Sequence, residues 1–321
     1  MKRLLSCGLM ALATLTAGQA VAADYPNKPI RWIVPYAAGG GSDFLARTIS
    51  QALGRETGQT ILVDNKPGGN TAIGAAETAR APGDGYTVLS ADNGTLVFNP
   101  ALYSQLTYDP AQLAPVSLMG RFPMILVVGP NSTAKDAKDF IAQAKAAGDK
   151  LSYGSAGAGS PHHLAMELLN KEAGLKQVHV PYRGAAPALT DVAGGQIPAM
   201  MVDLAAGAGF IKGGKVRPLA VANDKRLPQL PDVPTFAELG LGKIEAAALV
   251  GMVVPASTPA DVIATLNQKV VASIRDKDVN QRMVEFGVEP VGSTAAEYRD
   301  LLASENARWQ PLIRDLGIKL D

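Results

Sequence analysis

A short apolar run, a glycine-rich joint and an amphipathic segment follow one another near the start of the chain. Ile30–Val34 is a largely apolar run typical of a buried β-strand, and Pro35 predicts its end because proline has no N–H for a central ladder. Apolar positions then recur with helical spacing over residues 44–53. We therefore predict a strand, a tight loop and a helix that is capped by Ser42 or Asp43.

The joint itself is the first candidate for function. Gly39, Gly40 and Gly41 have no Cβ, so they permit positive φ and let a ligand approach main-chain N–H groups. The first turn of the following helix has free N–H groups and the positive end of the helix dipole, which suit a carboxylate or a phosphate. Alternatively, the glycines only form a compact connection between strand and helix, and the loop alone leaves both interpretations open.

The same order of strand, polar loop and helix recurs along the chain, which indicates βαβ units on a parallel sheet. In such sheets ligands bind beyond the carboxyl ends of the strands, where these loops lie. A second set of units begins with a strand at 151–154, a flexible loop at 155–159 and the helix-start signal Ser160-Pro161. The other predicted strands are 61–64, 86–91, 178–181, 197–202 and 216–222, and the other predicted helices are 71–80, 133–147, 186–193, 259–275, 278–286 and 295–316.

Two apolar runs bracket the second set of units, PMILVVG at 123–129 and LVGMVVP at 249–255. If these runs lie side by side, they form a two-strand crossover, and the C-terminal residues complete the first domain. The predicted organisation is therefore an α/β protein with two lobes, residues 24–124 with 251–321 as the first and residues 125–250 as the second. A two-strand hinge would let the lobes close over a ligand.

The composition and the N-terminal residues are those of an exported globular protein. Over 321 residues, 47% are hydrophobic and 18% are charged, which argues against disorder. Lys2 and Arg3 precede an apolar segment from Leu4 to Ala17, and small residues follow it. We therefore predict a signal peptide over residues 1–23, with cleavage near Ala22 to Ala23.

Neither the cysteine content nor the charge points to a further partner. Cys7 is the only cysteine and lies in the predicted signal peptide, so no disulfide, thiol nucleophile or cysteine-based metal site is expected in the mature protein. Without Lys2 and Arg3, 28 basic residues stand against 29 acidic ones, a net charge of −1. This balance gives no support for nucleic acid or an anionic membrane as a partner, and we expect a monomer without a cofactor.

Several motifs now resemble one protein family in their order and spacing. They are VPYAAGGGSDFLAR at 34–47, YGSAGAGSPHHLAMEL at 153–168 and VPYRGAAPALTDVAGGQI at 180–197. The chain resembles the Bug family of periplasmic solute-binding proteins from tripartite tricarboxylate transporter systems. The resemblance implies a type II periplasmic-binding-protein fold, in which two α/β lobes are joined by a two-strand hinge and enclose a cleft. It also implies a periplasmic protein that delivers its ligand to integral membrane transporter subunits.

The resemblance further implies that one carboxylate of a small organic acid is held in the cleft, largely by backbone groups and ordered waters. The chain departs from the family at Tyr36-Ala37-Ala38, where the family usually has phenylalanine and further prolines. The Tyr36 hydroxyl would therefore add a polar group to the ligand site. The implied ligand-binding residues of the first lobe are Tyr36, Ala37, Gly39, Gly40, Ser42, Asp43, Asn93 and Gly94, and those of the second are Ser155, Ala156, Gly157, Ser160, His162, Tyr182, Arg183, Gly184, Ala185 and Asp203.

Some of these side chains have other interpretations. Asp43 is more favourable as a cap than as a ligand contact, because an acidic side chain that faces an anion is costly. Arg183 could clamp a carboxylate or extend into solvent, and the sequence leaves both open. His162 and His163 point about 100° apart on a helix. His179 is the only other histidine, so no metal site is predicted.

The sequence lacks the usual parts of a catalytic centre. No G-x-S-x-G elbow surrounds Ser42, Ser155 or Ser160, and dinucleotide-binding and Walker patterns are absent. We therefore expect a binding protein and not an enzyme. The sequence does not separate a tripartite transporter from a sensor kinase or an ATP-driven importer as the partner, and it leaves a neutral solute open as the ligand.

Overall fold

The computed structural model describes residues 25–321, so the predicted signal peptide lies outside the described part of the chain. Short π-helical and 3-10 turns lie at Gly94–Phe98, Pro110–Gln112 and Gly148–Lys150. The strands are β1 (Ile30–Val34), β2 (Ile61–Asn65), β3 (Thr87–Asp92), β4 (Leu113–Val128), β5 (Ser152–Ser155), β6 (Val178–Pro181), β7 (Ala199–Val202), β8 (Arg217–Ala222), β9 (Ala247–Pro255) and β10 (Glu289–Pro290). The helices are α1 (Gly41–Thr57), α2 (Ala72–Ala79), α3 (Asn99–Leu102), α4 (Ala137–Ala147), α5 (Pro161–Ala173), α6 (Ala185–Ala193), α7 (Leu204–Lys212), α8 (Ala260–Arg275), α9 (Lys277–Glu285) and α10 (Ala295–Asp315).

One part of the sheet is built around β1. This strand lies between β2 and β3 and is parallel to both. β9 runs antiparallel to β3 on one side and to β4 on the other, and the short β10 also pairs with β4. α1 and α8 pack on this sheet, where Trp32, Leu45 and Leu266 are fully buried. We name this sheet and its helices the first lobe.

The other part of the sheet is built around β5. This strand lies between β6 and β7 and is parallel to both, while β7 and β8 pair antiparallel with the end of β4. α6 contributes the buried Leu189 and Val192 to one cluster of this part, and α5 contributes the buried Leu164 to another. We name this sheet and its helices the second lobe.

β4 links the two lobes. Its residues 113–123 pair with β9, and its residues 124–128 pair with β7 and β8. Pro123 lies opposite Ala247, so the two predicted apolar runs do lie side by side. The predicted architecture of two α/β lobes joined by two strands is therefore observed. The boundaries of the lobes at 124/125 and 250/251 stay a prediction.

Two predicted elements differ from the observed ones. β4 begins at Leu113, ten residues before the predicted start of that strand. α4 begins at Ala137, four residues after the predicted start at 133, and its N-cap is Asp136, whose side chain accepts the N–H of Asp139. In contrast, Ser160 is the N-cap of α5 and accepts the N–H of His163, as the Ser-Pro signal predicts.

Candidate functional site

The carboxyl ends of parallel strands from both lobes face each other across the middle of β4. In the first lobe β3 ends at Asp92, which pairs with Val250 of β9, and Val250 pairs in turn with Gly120. In the second lobe β7 ends at Val202, which pairs with Ile125. Gly120 and Ile125 are both in β4 and are separated by about 16 Å along the strand. The loops that follow these strands therefore border one space between the lobes, which we name the interlobe gap.

The first-lobe border of the gap is the start of α1. Gly40 is the N-cap, and no side chain of residues 25–321 caps this end of the helix. The predicted cap by Ser42 or Asp43 is therefore wrong, because the helix begins at Gly41, before either of them. The N–H groups of Gly41, Ser42 and Asp43 have no hydrogen-bond partner within the described chain. This end of α1 offers three free donors at the positive end of its dipole.

The loop before α1 is exposed up to the residue that precedes these donors. Ala37, Gly39 and Gly40 are exposed, and Gly39 adopts a φ of +90°, which a residue with a Cβ rarely does. The Oγ atom of Ser42 is buried and has no hydrogen-bond partner among residues 25–321. A buried hydroxyl beside free N–H groups is an incomplete hydrogen-bonding set, and a ligand with acceptor oxygens would complete it.

Asp43 is fully engaged by its own lobe. Its carboxylate accepts the Gly39 N–H at 2.9 Å, the Arg47 Nε–H at 3.0 Å and the Asn65 side-chain amide at 3.0 Å. Burial acts to raise the pKa of Asp43, but the hydrogen bonds from Arg47, Gly39 and Asn65 outweigh it and lower that pKa. Asp43 therefore stays ionised, compensated by Arg47, and holds the glycine loop in place.

The Tyr36 hydroxyl is also engaged within the first lobe, where it donates to Asp92. Burial and the neighbouring Asp92 carboxylate raise the pKa of Tyr36, so the phenol keeps its proton. Asp92 accepts two further hydrogen bonds, from the N–H and the hydroxyl of Thr95, both at 2.8 Å. A Cβ on Gly94 would lie 3.0 Å from Asp92 Oδ1, so the turn after β3 needs a small residue there. The Tyr36 hydroxyl, which was predicted as an additional polar group for the ligand, is thus hydrogen-bonded to this buried carboxylate.

The side chain of Asn93 forms hydrogen bonds to the crossover strand β9. It is buried, its side-chain Nδ2 donates to the Ala247 carbonyl at 3.0 Å, and its Oδ1 accepts the Leu249 N–H at 3.4 Å. The amide of Asn93 therefore has partners on β9, and its side chain joins the end of β3 to the hinge. Its predicted contact with ligand stays a prediction.

The second-lobe border of the gap is the loop of residues 155–160, which we name the second-lobe loop. Ser155 is fully buried, and its Oγ accepts the Gly157 N–H at 3.1 Å. The Ser160 hydroxyl donates to the Gly157 carbonyl at 2.7 Å. The N–H groups of Ala156 and Ala158 have no partner within residues 25–321. The second lobe thus also presents free main-chain donors.

The next loop follows β6 and supports the second-lobe loop. The Gly184 N–H donates to the Ala156 carbonyl at 3.1 Å, and Gly184 is the N-cap of α6, just before Ala185. The Tyr182 hydroxyl donates to Asp191 at 2.6 Å, and burial together with Asp191 raises the pKa of Tyr182 to about 12. Arg183 is exposed, so both of its interpretations stay open.

His162 and Asp203 form a pair behind the second-lobe loop. His162 Nε2 lies 2.9 Å from Asp203 Oδ2, while Asp203 Oδ1 caps α7 by accepting the Ala206 N–H. Burial acts to raise the pKa of Asp203, but the His162 hydrogen bond and charge and the Ala206 N–H outweigh it and lower that pKa. His162 Nδ1 is buried without a hydrogen-bond partner in the described chain.

The arrangement can bind an anion but shows no metal cluster. Main-chain donors from two lobes border the gap, and Asp43, Asp92 and Asp203 each accept hydrogen bonds from their own lobe. Among residues 25–321 no group of three histidine, cysteine or acidic side chains could hold a metal ion. Two surface cavities of about 390 and 690 Å³ lie elsewhere, beside α5 with α10 and beside α1 with α9. No predicted site residue lines either cavity.

The comparisons with known proteins show the family to which this chain belongs. Residues 45–318 match the sequence profile described as "Tripartite tricarboxylate transporter family receptor". The chain is 33% identical to the protein BugT of Bordetella pertussis over 323 aligned residues, and the alignment covers 100% of this chain and 99% of BugT. The chain belongs to the tripartite tricarboxylate transporter receptor family. The predicted relation to the Bug proteins is confirmed.

Solved structures similar to this receptor confirm its fold. Rpa4515 of R. palustris, whose structure is described "with adipate", is 33% identical with a TM-score of 0.84, over 92% of this chain and 100% of Rpa4515. MatC from Rhodopseudomonas palustris, described "with bound malate", is 29% identical with a TM-score of 0.79, over 90% of this chain and 100% of MatC. The receptor therefore has a periplasmic-binding-protein fold, as predicted.

Membership also bears on activity. The family is one of periplasmic solute-binding receptors and not of enzymes, which confirms the expectation of a binding protein. Among residues 25–321 no helix of this receptor combines the length and apolar character that a membrane span needs.

Sequence reasoning missed two sets of side chains at this receptor's site. Asp92 organises the end of β3, and the signal was a carboxylate directly after a predicted strand, beside the Asn93 that was chosen. His163 and His179 lie beneath the second-lobe loop. They are 16 residues apart in the sequence, so no local pattern predicts that their rings meet.

Proposed function

We propose that this chain is the periplasmic receptor of a tripartite transporter and that it captures a small organic acid in the interlobe gap. The single observation that carries the proposal is that free main-chain donors of both lobes, at the start of α1 and in the second-lobe loop, follow strands whose carboxyl ends face the middle of β4. The malate and adipate of the two solved relatives are dicarboxylates, which supports a carboxylate as the ligand class.

A carboxylate in the gap would take its hydrogen bonds from both borders. On the first lobe, the donors without a partner in residues 25–321 are the N–H groups of Gly41 and Ser42 and the buried hydroxyl of Ser42. On the second lobe, the N–H groups of Ala156 and Ala158 are available. Hydrogen bonds to a charged acceptor are worth about 1.5–3 kcal/mol each, so a few of them would support specific binding.

The charges around the gap permit an anion. Asp43 is compensated by Arg47, and Asp203 accepts hydrogen bonds from His162 and from the Ala206 N–H, so both carboxylates are engaged within their own lobes. The exposed Arg183 follows β6, whose carboxyl end borders the second-lobe loop, and adds a positive charge on that side. We propose that Arg183 steers the acid or clamps its distal carboxylate.

The crossover would let the receptor close on its ligand. β4 and β9 are the paired strands that run between the lobes, and small changes of backbone dihedrals in two strands can rotate one lobe against the other. Closure would bring the donors of the second-lobe loop to the carboxylate held by α1. The closed, loaded receptor would then be recognised by the membrane subunits of the transporter. We propose that it acts as a monomer after its signal peptide, residues 1–23, is removed.

Matched acids and amides test the proposed ligand class. The purified mature chain is screened by thermal shift against malate and adipate, each beside its diamide. A ligand that binds only the folded state raises the free energy of unfolding by about 2.7 kcal/mol at a hundredfold excess over its Kd. We expect an acid to raise the Tm by several degrees and the diamides to leave it unchanged.

Two results of this screen would contradict the proposal. Equal shifts by an acid and its diamide would show that charge is not recognised. A shift produced only by neutral solutes, after a wider panel of mono-, di- and tricarboxylates has failed, would support a solute receptor whose ligand is not a carboxylate.

A further inference from the structure

Three nearly parallel aromatic rings lie beneath the second-lobe loop. The His163 and His179 rings stack at 3.7 Å between centroids with an angle of 11°, and the Tyr153 ring lies 5.1 Å from that of His179 at 21°. Tyr153 and His163 are buried, and the Tyr153 hydroxyl donates to Glu167 of α5. The stack therefore joins β5, β6 and α5 at the point where the loop leaves β5.

Each histidine holds a different part of the second-lobe loop. His163 Nδ1 accepts the Gly159 N–H at 3.0 Å. His179 Nε2 lies 2.7 Å from the Oγ of Ser155, and the same Oγ accepts the Gly157 N–H at 3.1 Å. The two rings thus hold the beginning and the end of the loop, while the donors of its middle stay free.

The neutral form of histidine suits this task. Burial lowers the pKa of His179 to about 4, and burial together with His179 lowers the pKa of His163 to about 3. Both rings are therefore uncharged near pH 7, and the Nδ1 of His163 keeps the lone pair that the Gly159 N–H needs. An uncharged pair can stack closely without repulsion, whereas two imidazolium rings could not.

The loop that they hold also contacts the first lobe. Gly159 adopts a φ of +75°, and a Cβ placed on it would lie 2.6 Å from Leu102 and 2.9 Å from Leu320. A shift of the loop would therefore alter both the free donors of Ala156 and Ala158 and the contact between the lobes.

We propose that His163 and His179 are positioning residues that hold the second-lobe loop in its binding conformation, an inference that rests on the proposed function. Neither ring needs to touch the ligand. Their contribution is to order the loop before the ligand arrives, which lowers the entropic cost of binding.

Two pairs of isosteric variants test this role. In His163→Asn the amide oxygen takes the place of Nδ1 and can still accept the Gly159 N–H, whereas His163→Gln moves the polar atoms one bond too far. For His179 the roles of the two variants are reversed. The side-chain amide of His179→Gln reaches the position of Nε2 and can still bond to the Ser155 hydroxyl, whereas the amide of His179→Asn is too short. Each pair replaces the same ring, so loss of stacking is matched and only the hydrogen bond to the loop differs.

The first readout needs no ligand. In ligand-free protein, hydrogen exchange of the Gly159 N–H should be about tenfold faster in His163→Gln than in His163→Asn, as expected for loss of one hydrogen bond. Exchange of the Gly157 N–H should likewise be about tenfold faster in His179→Asn than in His179→Gln. Affinity for the acid of the thermal-shift screen should fall about tenfold in the same two variants. Ser155→Ala, which keeps the stack intact, should also speed the exchange of Gly157 and provides a second test if a histidine variant does not fold.

The outcomes are distinct from those of the proposed function. Equal exchange within both pairs, together with unchanged exchange in Ser155→Ala, would overturn the positioning role. Faster exchange with unchanged affinity would also overturn it, because the loop would then be held without consequence for binding. If the unmodified chain binds no acid, the proposed function fails, and the exchange comparison still shows whether the histidines hold the loop.

Discussion

Replacing Gly40 with valine should abolish acid binding while leaving the protein folded. Gly40 has a φ of −84°, which valine adopts readily, and a Cβ placed on it meets only the Ala37 carbonyl, at 3.9 Å. The branched side chain would stand before the free N–H groups of α1 and keep a carboxylate away from them. Loss of two charge-assisted hydrogen bonds should weaken the affinity at least about 100-fold, as measured by isothermal titration.

A matched glycine elsewhere provides the control for this variant. Gly209 is exposed on α7, and a Cβ placed on it has no atom within 4 Å. Gly209→Val should bind the acid with unchanged affinity, and both variants should melt within a few degrees of the unmodified chain. If Gly40→Val melts normally and still binds the acid as the parent does, the start of α1 is not the ligand site.

Replacing Asn93 with alanine should destabilise the fold more than an ordinary asparagine substitution. The buried amide serves the Ala247 carbonyl and the Leu249 N–H, both on the crossover strand β9. Its removal leaves buried main-chain groups without partners, at about 1–3 kcal/mol each and less for the longer bond. We expect the free energy of unfolding from denaturant titration to fall by about 2–4 kcal/mol.

The exposed Asn131 is the matched control for this measurement. It lies on the surface of the second lobe after β4, so Asn131→Ala should change the free energy of unfolding by less than about 0.5 kcal/mol. Equal effects of the two substitutions would mean that Asn93 does not support the hinge, and its predicted contact with ligand would become the better explanation of its position.

The architecture could be predicted because its signals are local or repeated. Apolar runs, glycine loops and helical periods alternate, and each loop falls at the carboxyl end of a parallel strand. The crossover followed from two similar runs that bracket one set of units. The length of β4 did not follow, because Pro115 and Gly120 look like strand breakers, and the register shifts beside them that let the strand continue depend on pairing with β9.

The site could be predicted only at the level of its backbone. Glycine loops and helix starts are visible in the sequence, whereas the partners of a polar side chain depend on distant elements. Tyr36 reaches Asp92 from the neighbouring strand β3, and Asn93 reaches a strand that lies more than 150 residues later. The preference of Asp43 for a capping role was wrong, because its carboxylate bonds to the loop through the Gly39 N–H and leaves the helix start uncapped.

The crystal structure of the mature chain with the acid that raises its Tm most is the most direct test of the account. We expect one carboxylate within hydrogen-bond distance of the Gly41 and Ser42 N–H groups and of main-chain donors in the second-lobe loop. Contacts to both lobes would establish the interlobe gap as the binding site. An acid that lies in the surface cavity between α1 and α9, or that touches one lobe only, would contradict it.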